Sequence, residues 1–188
     1  MGALIRQQGA CGLADAQYAE PFAALTHAII SQQLSSKAAA TIARRFDGLF
    51  DGRPTPLGIA ARSDGELRAV GLSGQKVRYM RDLCAHVDNG SLPLGELDSL
   101  DDEAVIAALT QVKGIGRWTA EMFLMFRLHR PDVLPVGDLG IVKAVQRAYR
   151  LRKAPDPKRL VRIGEPWRPY RSVACWYLWA SLDNTPDA

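Results

Sequence analysis

A carboxylate in a Pro/Gly-rich loop follows a glycine-containing turn in this chain, and this pairing of residue types could act on a phosphate-bearing molecule. The turn lies in Leu109-Thr-Gln-Val-Lys-Gly-Ile-Gly-Arg-Trp-Thr-Ala120, and the acid lies in Leu134-Pro-Val-Gly-Asp-Leu139. The two glycines allow backbone N–H groups to approach a phosphate closely, because no side chain stands in the way. The Pro/Gly-rich loop presents Asp138 at the start of another helix. A turn that grips a nucleic-acid backbone, followed by an acid, indicates chemistry on DNA as well as binding.

The composition sets broader bounds. The chain has 188 residues, 47% of them apolar, and a formal net charge of +4. This length and apolar content favour a well-buried domain and argue against global disorder, and the positive charge is compatible with a polyanionic partner. Cys11, Cys84 and Cys175 are far apart and match no metal motif, so we expect reduced thiols, no iron–sulfur cluster and no other cofactor. Because no apolar run approaches membrane-spanning length and no signal-peptide pattern is present, we expect a cytoplasmic protein, nucleoid-associated if bacterial, with no membrane partner.

Helix signals dominate the chain, and strand signals are poor. Val77, Met80 and Cys84 illustrate the apolar recurrence at helical spacing. Helices are predicted over 18–32, 36–49, 57–62, 64–70, 75–89, 117–129, 139–150 and 170–182, with one more through Val105–Leu109. Ser35 or Ser36 caps the second of these, Asp101 or Asp102 caps the one before the hairpin, and Pro155 and Pro157 mark a break. The pattern predicts an all-α fold of roughly ten short helices.

These helices are expected to form one domain, 1–188, with two helical lobes. Lobe A comprises about 1–33 and 137–188, and lobe B comprises about 34–136, including the hairpin at 111–118. A cleft between the lobes is the default place for a ligand.

The chain resembles the helix-hairpin-helix (HhH-GPD) superfamily of DNA glycosylases and, within it, the 3-methyladenine DNA glycosylase II branch. Three blocks carry the resemblance: Ala28–Ala38, with its Ser-Gln-Gln; Val112–Ala120 through Leu134–Ile141; and Trp167-Arg-Pro-Tyr-Arg-Ser172 through Trp179. The glycine hairpin alone is a weak signal, because it also occurs in non-catalytic DNA-binding modules. The combination of all three blocks is specific.

The resemblance implies a monofunctional DNA glycosylase, acting as a monomer in base excision repair. Such an enzyme flips an alkylated base out of double-stranded DNA, hydrolyses its N-glycosidic bond and leaves an abasic site. Two alternatives remain open. One is a glycosylase for deaminated or oxidised bases on the same scaffold. The other is a non-catalytic module for bent or damaged DNA, against which Asp138 argues because a carboxylate would repel DNA.

Asp138 is the predicted catalytic residue. Cleavage of an N-glycosidic bond builds positive charge on the deoxyribose, and a fixed carboxylate stabilises that charge. The carboxylate can also orient or deprotonate the attacking water. Because an alkylated base is already cationic and leaves easily, one carboxylate can suffice. Asp138 is also placed to cap the helix that begins at Leu139.

The resemblance also assigns the base pocket. Bifunctional relatives carry, at the position of Trp118, a lysine that attacks the sugar to form a Schiff base, so the amine nucleophile is absent here and no strand cleavage is expected. Trp118 and Trp179 are expected to line the pocket, where an indole can stack on a cationic base; for Trp118, core packing is the alternative. Met122 stands where some relatives have an aromatic residue, which predicts a more open pocket.

The remaining predicted residues contact the DNA duplex. By resemblance, Gln33 fills the gap left by the flipped nucleotide, with Leu34 as the alternative because some relatives use a leucine; a capped helix junction is the non-functional interpretation. Backbone N–H groups of the hairpin are expected to bind phosphate, with help from Thr119 or Lys113. The hairpin residues are Gly114, Ile115 and Gly116. No catalytic metal is expected, although a structural sodium or potassium ion on hairpin carbonyls near Gly114 and Gly116 fits the family.

Overall fold

The structure is a computed structural model that describes residues 1–15 and 20–183. Within those residues every regular element is a helix and none is a strand, which confirms the all-α prediction. The α-helices are α1 (Gly2–Gln8), α2 (Pro21–Ser31), α3 (Ser36–Gly48), α4 (Pro56–Ala60), α5 (Asp64–Ala69), α6 (Gly74–Asp88), α7 (Asp102–Leu109), α8 (Arg117–Phe126), α9 (Leu139–Ala148), α10 (Pro157–Gly164) and α11 (Arg171–Asp183). Short 3-10 turns lie at Leu13–Asp15, Leu97–Ser99 and Glu165–Trp167. None of the helices among these residues is long and apolar enough to cross a membrane.

Polar side chains begin many of these helices. In each case a Ser, Thr or Asp side chain accepts a hydrogen bond from a backbone N–H in the first helical turn, which satisfies a donor that the helix itself leaves unpaired. Of the caps that the sequence leaves open, Ser35 serves α3 and Asp101 serves α7. The other caps of this kind are Thr55, Ser63, Ser73, Asp138 and Asp156.

The structure differs from the predicted elements at α10, at α1 and at several helix ends. α10 forms where the prolines predict a break, because Pro157 occupies the first helical position and Asp156 accepts a hydrogen bond from the N–H of Arg159 at 2.7 Å. α1 also forms where no helix is predicted. α8 ends at Phe126 rather than 129, and His129 then adopts the left-handed region with φ 51°.

The chain forms two compact units, Met1–Gln17 with Leu124–Ala188, and Tyr18–Phe123. The predicted lobes divide the chain differently at 18–33 and 124–136. In the structure α2 belongs with the middle of the chain, because it packs against α3 and α6. Leu25 and Ile29, on the packed face of α2, are completely buried.

Each unit has its own apolar core. In the first unit α11 packs against both α9 and α1, and Ile141, Val145 and Leu178 have no exposed surface. In the second unit α6 packs against α2, α4 and α5, and Met80 and Leu83 are fully buried. Burial of an aliphatic side chain of this size contributes about 1.5–3 kcal/mol. The packing of α9 and α11 therefore fixes the helix that begins after Asp138 and the helix that carries Trp179.

Candidate active site

The first unit holds the predicted catalytic carboxylate in a fixed orientation. Asp138 is 8% exposed, and its N–H donates to the carbonyl of Pro135 at 3.0 Å, which closes the turn of the Pro/Gly-rich loop. Its Oδ1 accepts a hydrogen bond from the N–H of Ile141 at 2.7 Å and another from Nε1 of Trp179 at 3.0 Å. Asp138 is thus the N-cap of α9, as predicted, and a donor on α11 fixes the same oxygen. A nearly buried carboxylate oriented in this way can act on positive charge that develops beside it.

Trp179 gains a role that the sequence did not indicate. Trp179 is predicted to line the base pocket, and the structure shows in addition that its indole N–H donates to Asp138. Its ring also stacks on Phe126, with a centroid distance of 6.0 Å and an interplanar angle of 28°. The side chain therefore orients the acid, whether or not its ring also meets a base.

Gly140 makes room for this contact. A Cβ added there would lie 3.0 Å from Oδ1 of Asp138 and 3.1 Å from Cδ1 of Trp179, tighter than ordinary van der Waals contact. Sequence reasoning missed Gly140, although it stands in one of the resemblance blocks, because a glycine inside a helix carries no chemical signal of its own.

The loop that leads to Asp138 is tied to the start of α11. Oγ of Ser172 donates to the carbonyl of Arg130 at 2.7 Å and accepts from the N–H of Val133 at 2.9 Å. Ser172 is completely buried, so these bonds satisfy polar groups that water does not reach.

Asp132, in the same loop, adds an ionic contact. Its Oδ1 lies 2.7 Å from Nε of Arg171, and its Oδ2 lies 2.7 Å from Nη1 of Arg168. Burial alone would raise the pKa of the Asp132 carboxyl, but the hydrogen bonds and charges of Arg171 and Arg168 outweigh it and lower that pKa. The loop is therefore held by a charged carboxylate at neutral pH.

The second unit carries the hairpin between α7 and α8, which rests on α6. Gly114 has φ 86°, and a Cβ added to it would overlap the ring of Tyr79. Only glycine satisfies both the left-handed backbone and this close approach. At Gly116, by contrast, an added Cβ would meet nothing within 4 Å. The hairpin glycines thus differ: Gly114 is required by packing, and Gly116 is not.

Several predicted phosphate contacts have partners inside the protein. The N–H of Ile115 donates to the carbonyl of Val112 at 3.0 Å, and Thr119 is only 6% exposed. The backbone N–H of Lys113 donates to Oδ2 of Asp82 at 2.8 Å. The Lys113 ammonium lies 3.1 Å from Oδ1 of Asp82, and the Lys113 side chain is 78% exposed. The Lys113 ammonium is thus paired with Asp82 although its side chain is largely exposed to solvent.

Asp82 anchors the first residue of the hairpin to α6. Burial raises the pKa of its carboxyl, but the hydrogen bonds from the Lys113 backbone and side chain, together with the charges of Lys113 and His86, lower it overall. The charged form of Asp82 is thus the form that holds the hairpin.

Trp118 and Met122 lie one turn apart on α8, on the same face of that helix. Trp118 is 48% exposed, a large apolar surface for a side chain that only packs in a core. The core-packing alternative for Trp118 is therefore not favoured by its exposure.

The segment after α2 forms a turn with Gln33 at its tip. Gln33 is exposed and has φ 57°, and Leu34 is 38% exposed. Nε2 of Gln32 donates to the carbonyl of Gly114 at 2.7 Å, which connects this turn to the hairpin. Within the second unit the structure therefore brings together two motifs that are far apart in the sequence.

Comparisons with known proteins identify the family of the chain. Residues 26–169 match the family described as HhH-GPD superfamily base excision DNA repair protein. The chain is 39% identical over 163 residues to DNA-3-methyladenine glycosylase 1 of Schizosaccharomyces pombe, a match that covers 85% of this chain and 72% of the relative.

Solved structures give the same result. The 3-methyladenine DNA glycosylase of Schizosaccharomyces pombe, in complex with abasic DNA, superposes with a TM-score of 0.86 at 34% identity, covering 100% of this chain and 93% of that chain. The DNA-3-methyladenine glycosidase of Bacillus halodurans superposes with a TM-score of 0.81 at 41% identity, covering 89% and 78%. The chain therefore belongs to the HhH-GPD superfamily of base excision DNA repair proteins, in its DNA-3-methyladenine glycosylase branch.

Proposed function

We propose that this protein is a monofunctional DNA glycosylase that excises alkylated bases of the 3-methyladenine type from double-stranded DNA and leaves an abasic site. The observation that carries the proposal is the orientation of Asp138 by Ile141 and Trp179, in a chain that belongs to the DNA-3-methyladenine glycosylase branch. DNA is the partner, as the abasic-DNA complex of the relative supports.

Asp138 supplies the chemistry in this proposal. As the bond between C1′ and the base nitrogen breaks, its electron pair leaves with the base, and a cationic alkylated base departs as a neutral molecule. The deoxyribose gains positive charge, which the fixed carboxylate stabilises. Water then bonds to C1′, and its proton passes to the carboxylate or to solvent. The donors on Oδ1 keep the carboxylate in place, so it need not reorganise during the reaction.

The same proposal excludes a lyase step. A lyase of this superfamily needs an amine at the position that Trp118 occupies, and an indole cannot form a Schiff base. Trp118 and Met122, on one face of α8, are instead assigned to stacking against the base, where an indole favours a cationic ring.

DNA binding is assigned to the hairpin and to the turn after α2. The Gly114 and Gly116 backbone and the Lys113 ammonium are proposed to bind phosphate, and Gln33, with Leu34 as the alternative, to fill the gap in the base stack. A sodium or potassium ion on the hairpin carbonyls would share the Gly114 oxygen with the amide of Gln32. The absence of other cofactors, the monomeric state and the cytoplasmic location stay predictions, to be checked by metal analysis, light scattering and cell fractionation.

The test is incubation of the purified protein with duplex DNA that carries a single alkylated adenine. Free base and strand breaks are measured before and after alkali. Base release with breaks only after alkali is the expected result. Breaks before alkali would show a lyase and contradict the role given to Trp118. Parallel duplexes with a deaminated or an oxidised base test the alternative substrates, and binding without release from any duplex would favour the non-catalytic module.

A further inference from the structure

The turn that carries Gln33 has an unfavourable backbone conformation for a non-glycine residue. α2 ends at Ser31, Gln33 takes the left-handed φ of 57°, and the N–H of Leu34 returns to the carbonyl of Ser31 at 3.2 Å. A single 3.2 Å hydrogen bond closes this turn locally. A non-glycine residue keeps such a backbone conformation only when the surrounding structure holds it there.

Lys76, near the start of α6, supplies part of that hold. Its Nζ donates to the carbonyl of Ile30 at 2.6 Å and to the carbonyl of Gln32 at 2.9 Å. These carbonyls lie at the C-terminal end of α2, where helix geometry leaves acceptors unpaired and the helix dipole favours a cation. Partial burial lowers the pKa of Lys76, and the two carbonyl acceptors are the groups that hold its Nζ in the protein.

Gln32 supplies the second hold. Its amide Nε2 donates to the carbonyl of Gly114 at 2.7 Å, so the residue beside the tip of the turn is bonded to the hairpin. α6 contacts the same hairpin through Tyr79, which packs on Gly114, and through Asp82, which accepts from Lys113. Lys76, Tyr79 and Asp82 follow each other at three-residue spacing and so share one side of α6.

We propose that Lys76 and Gln32 are positioning residues that join the Gln33 turn to the phosphate-binding hairpin, so that the gap-filling side chain inserts at a fixed register from the bound phosphate. The inference rests on the proposed function, because it assigns these residues to the insertion step of that reaction. Neither residue touches the reacting atoms, and both act through the turn and the hairpin.

This role predicts that Lys76 and Gln32 matter more for a lesion in paired DNA than for the same lesion in unpaired DNA. Insertion matters when the damaged nucleotide must be taken out of an intact base stack, and matters much less when the stack is already open. A residue that merely supports the fold would affect both substrates equally. The ratio of excision rates on a paired lesion and on the same lesion in an unpaired bubble therefore separates the two roles.

The test measures single-turnover base release from both substrates for Lys76→Met, Lys76→Arg and Gln32→Ala. Gln33→Ala, with Leu34→Ala for the alternative gap-filling residue, gives the signature of a lost insertion step. Lys158→Met, an exposed lysine on α10, is the matched control. Thermal unfolding and circular dichroism identify any variant that does not fold. As a second readout, 2-aminopurine opposite an abasic analogue reports insertion through its fluorescence without requiring catalysis.

We expect Lys76→Met and Gln32→Ala to lose about tenfold or more on the paired lesion and less than about twofold in the bubble, because misplacement of about 1 Å is sufficient for losses of this size. Lys76→Arg, which keeps a donor, is expected to retain most of the rate on the paired lesion. Equal losses on the two substrates, or a paired-lesion rate equal to that of the wild type in both folded variants, would overturn the inference. Failure of the wild type to release any base would overturn the proposed function instead, and the 2-aminopurine signal would still test the insertion role.

Discussion

The loop that presents Asp138 and the hairpin between α7 and α8 are held in place by different means. Asp138 is nearly buried, and a side chain 41 residues away in the sequence holds its Oδ1. The hairpin presents backbone groups, and its shape depends on one glycine that lies against a helix. A catalytic carboxylate gains from exclusion of water, because its field is then poorly screened. A phosphate-binding site must stay open to solvent, so its geometry depends on backbone conformation and not on burial.

The largest expected effect on stability is that of a substitution in the hairpin. Gly114→Ala introduces a methyl group into the ring of Tyr79 at a positive φ, and we expect it to destabilise the protein by about 2–4 kcal/mol and to weaken DNA binding at least tenfold. Denaturant unfolding and fluorescence anisotropy with an abasic duplex measure the two effects.

Gly116→Ala is the matched variant for stability, because its methyl group meets nothing within 4 Å. We expect its unfolding free energy to stay within about 0.5 kcal/mol of the wild type. Equal destabilisation by the two substitutions would refute the distinction drawn between the glycines.

On the acid side, the contacts that tie the loop to α11 are expected to matter next. Ser172→Ala leaves the Val133 N–H and the Arg130 carbonyl without their buried partner, at a cost of about 1–3 kcal/mol in unfolding free energy. Calorimetry measures the change. Ser181→Ala, a partly buried serine on the same helix that bonds the carbonyl of Leu178, should cost less than half as much; a similar cost would mean that the loop contact has no special weight.

The smallest of these effects is expected from removal of the indole N–H of Trp179. Trp179→Phe keeps an aromatic ring near Phe126 but removes the donor to Asp138, so we expect kcat to fall about tenfold with little change in KM. Trp176→Phe, on the same helix, controls for loss of an indole. An increase in KM at constant kcat would instead place Trp179 in ground-state base binding, as the sequence alone suggested.

The two regions also differ in how much of them the sequence predicts. The hairpin and Asp138 stand out because their residue types and short spacing carry the signal. The residues that hold the hairpin and the neighbouring turn in place give no such signal, because Lys76 contacts Gln32 across 44 residues and Asp82 contacts Lys113 across 31. Such pairs depend on packing, which no local pattern records. α6 itself matched its predicted range of 75–89 to within one residue at each end, yet its role as the support of the hairpin was not predicted.

The predictions of helix ends also succeed only where local chemistry decides the structure. The caps at Ser35 and Asp101 follow from local chemistry and were among the predicted choices. α10 is not predicted, because Pro157 indicates a break, although Asp followed by Pro also begins a helix. The role of Trp179 needed the structure, because an indole on a helix gives no sign of which acceptor it reaches.

Single-turnover base release by Asp138→Asn tests directly whether Asp138 performs the excision. The amide keeps the size of the side chain and an acceptor for the N–H of Ile141 but lacks the charge. We expect the excision rate to fall by at least about 10²–10³-fold, with affinity for an abasic duplex retained or increased. An Asp138→Asn protein that folds, binds DNA and releases the base at the wild-type rate would contradict this expectation.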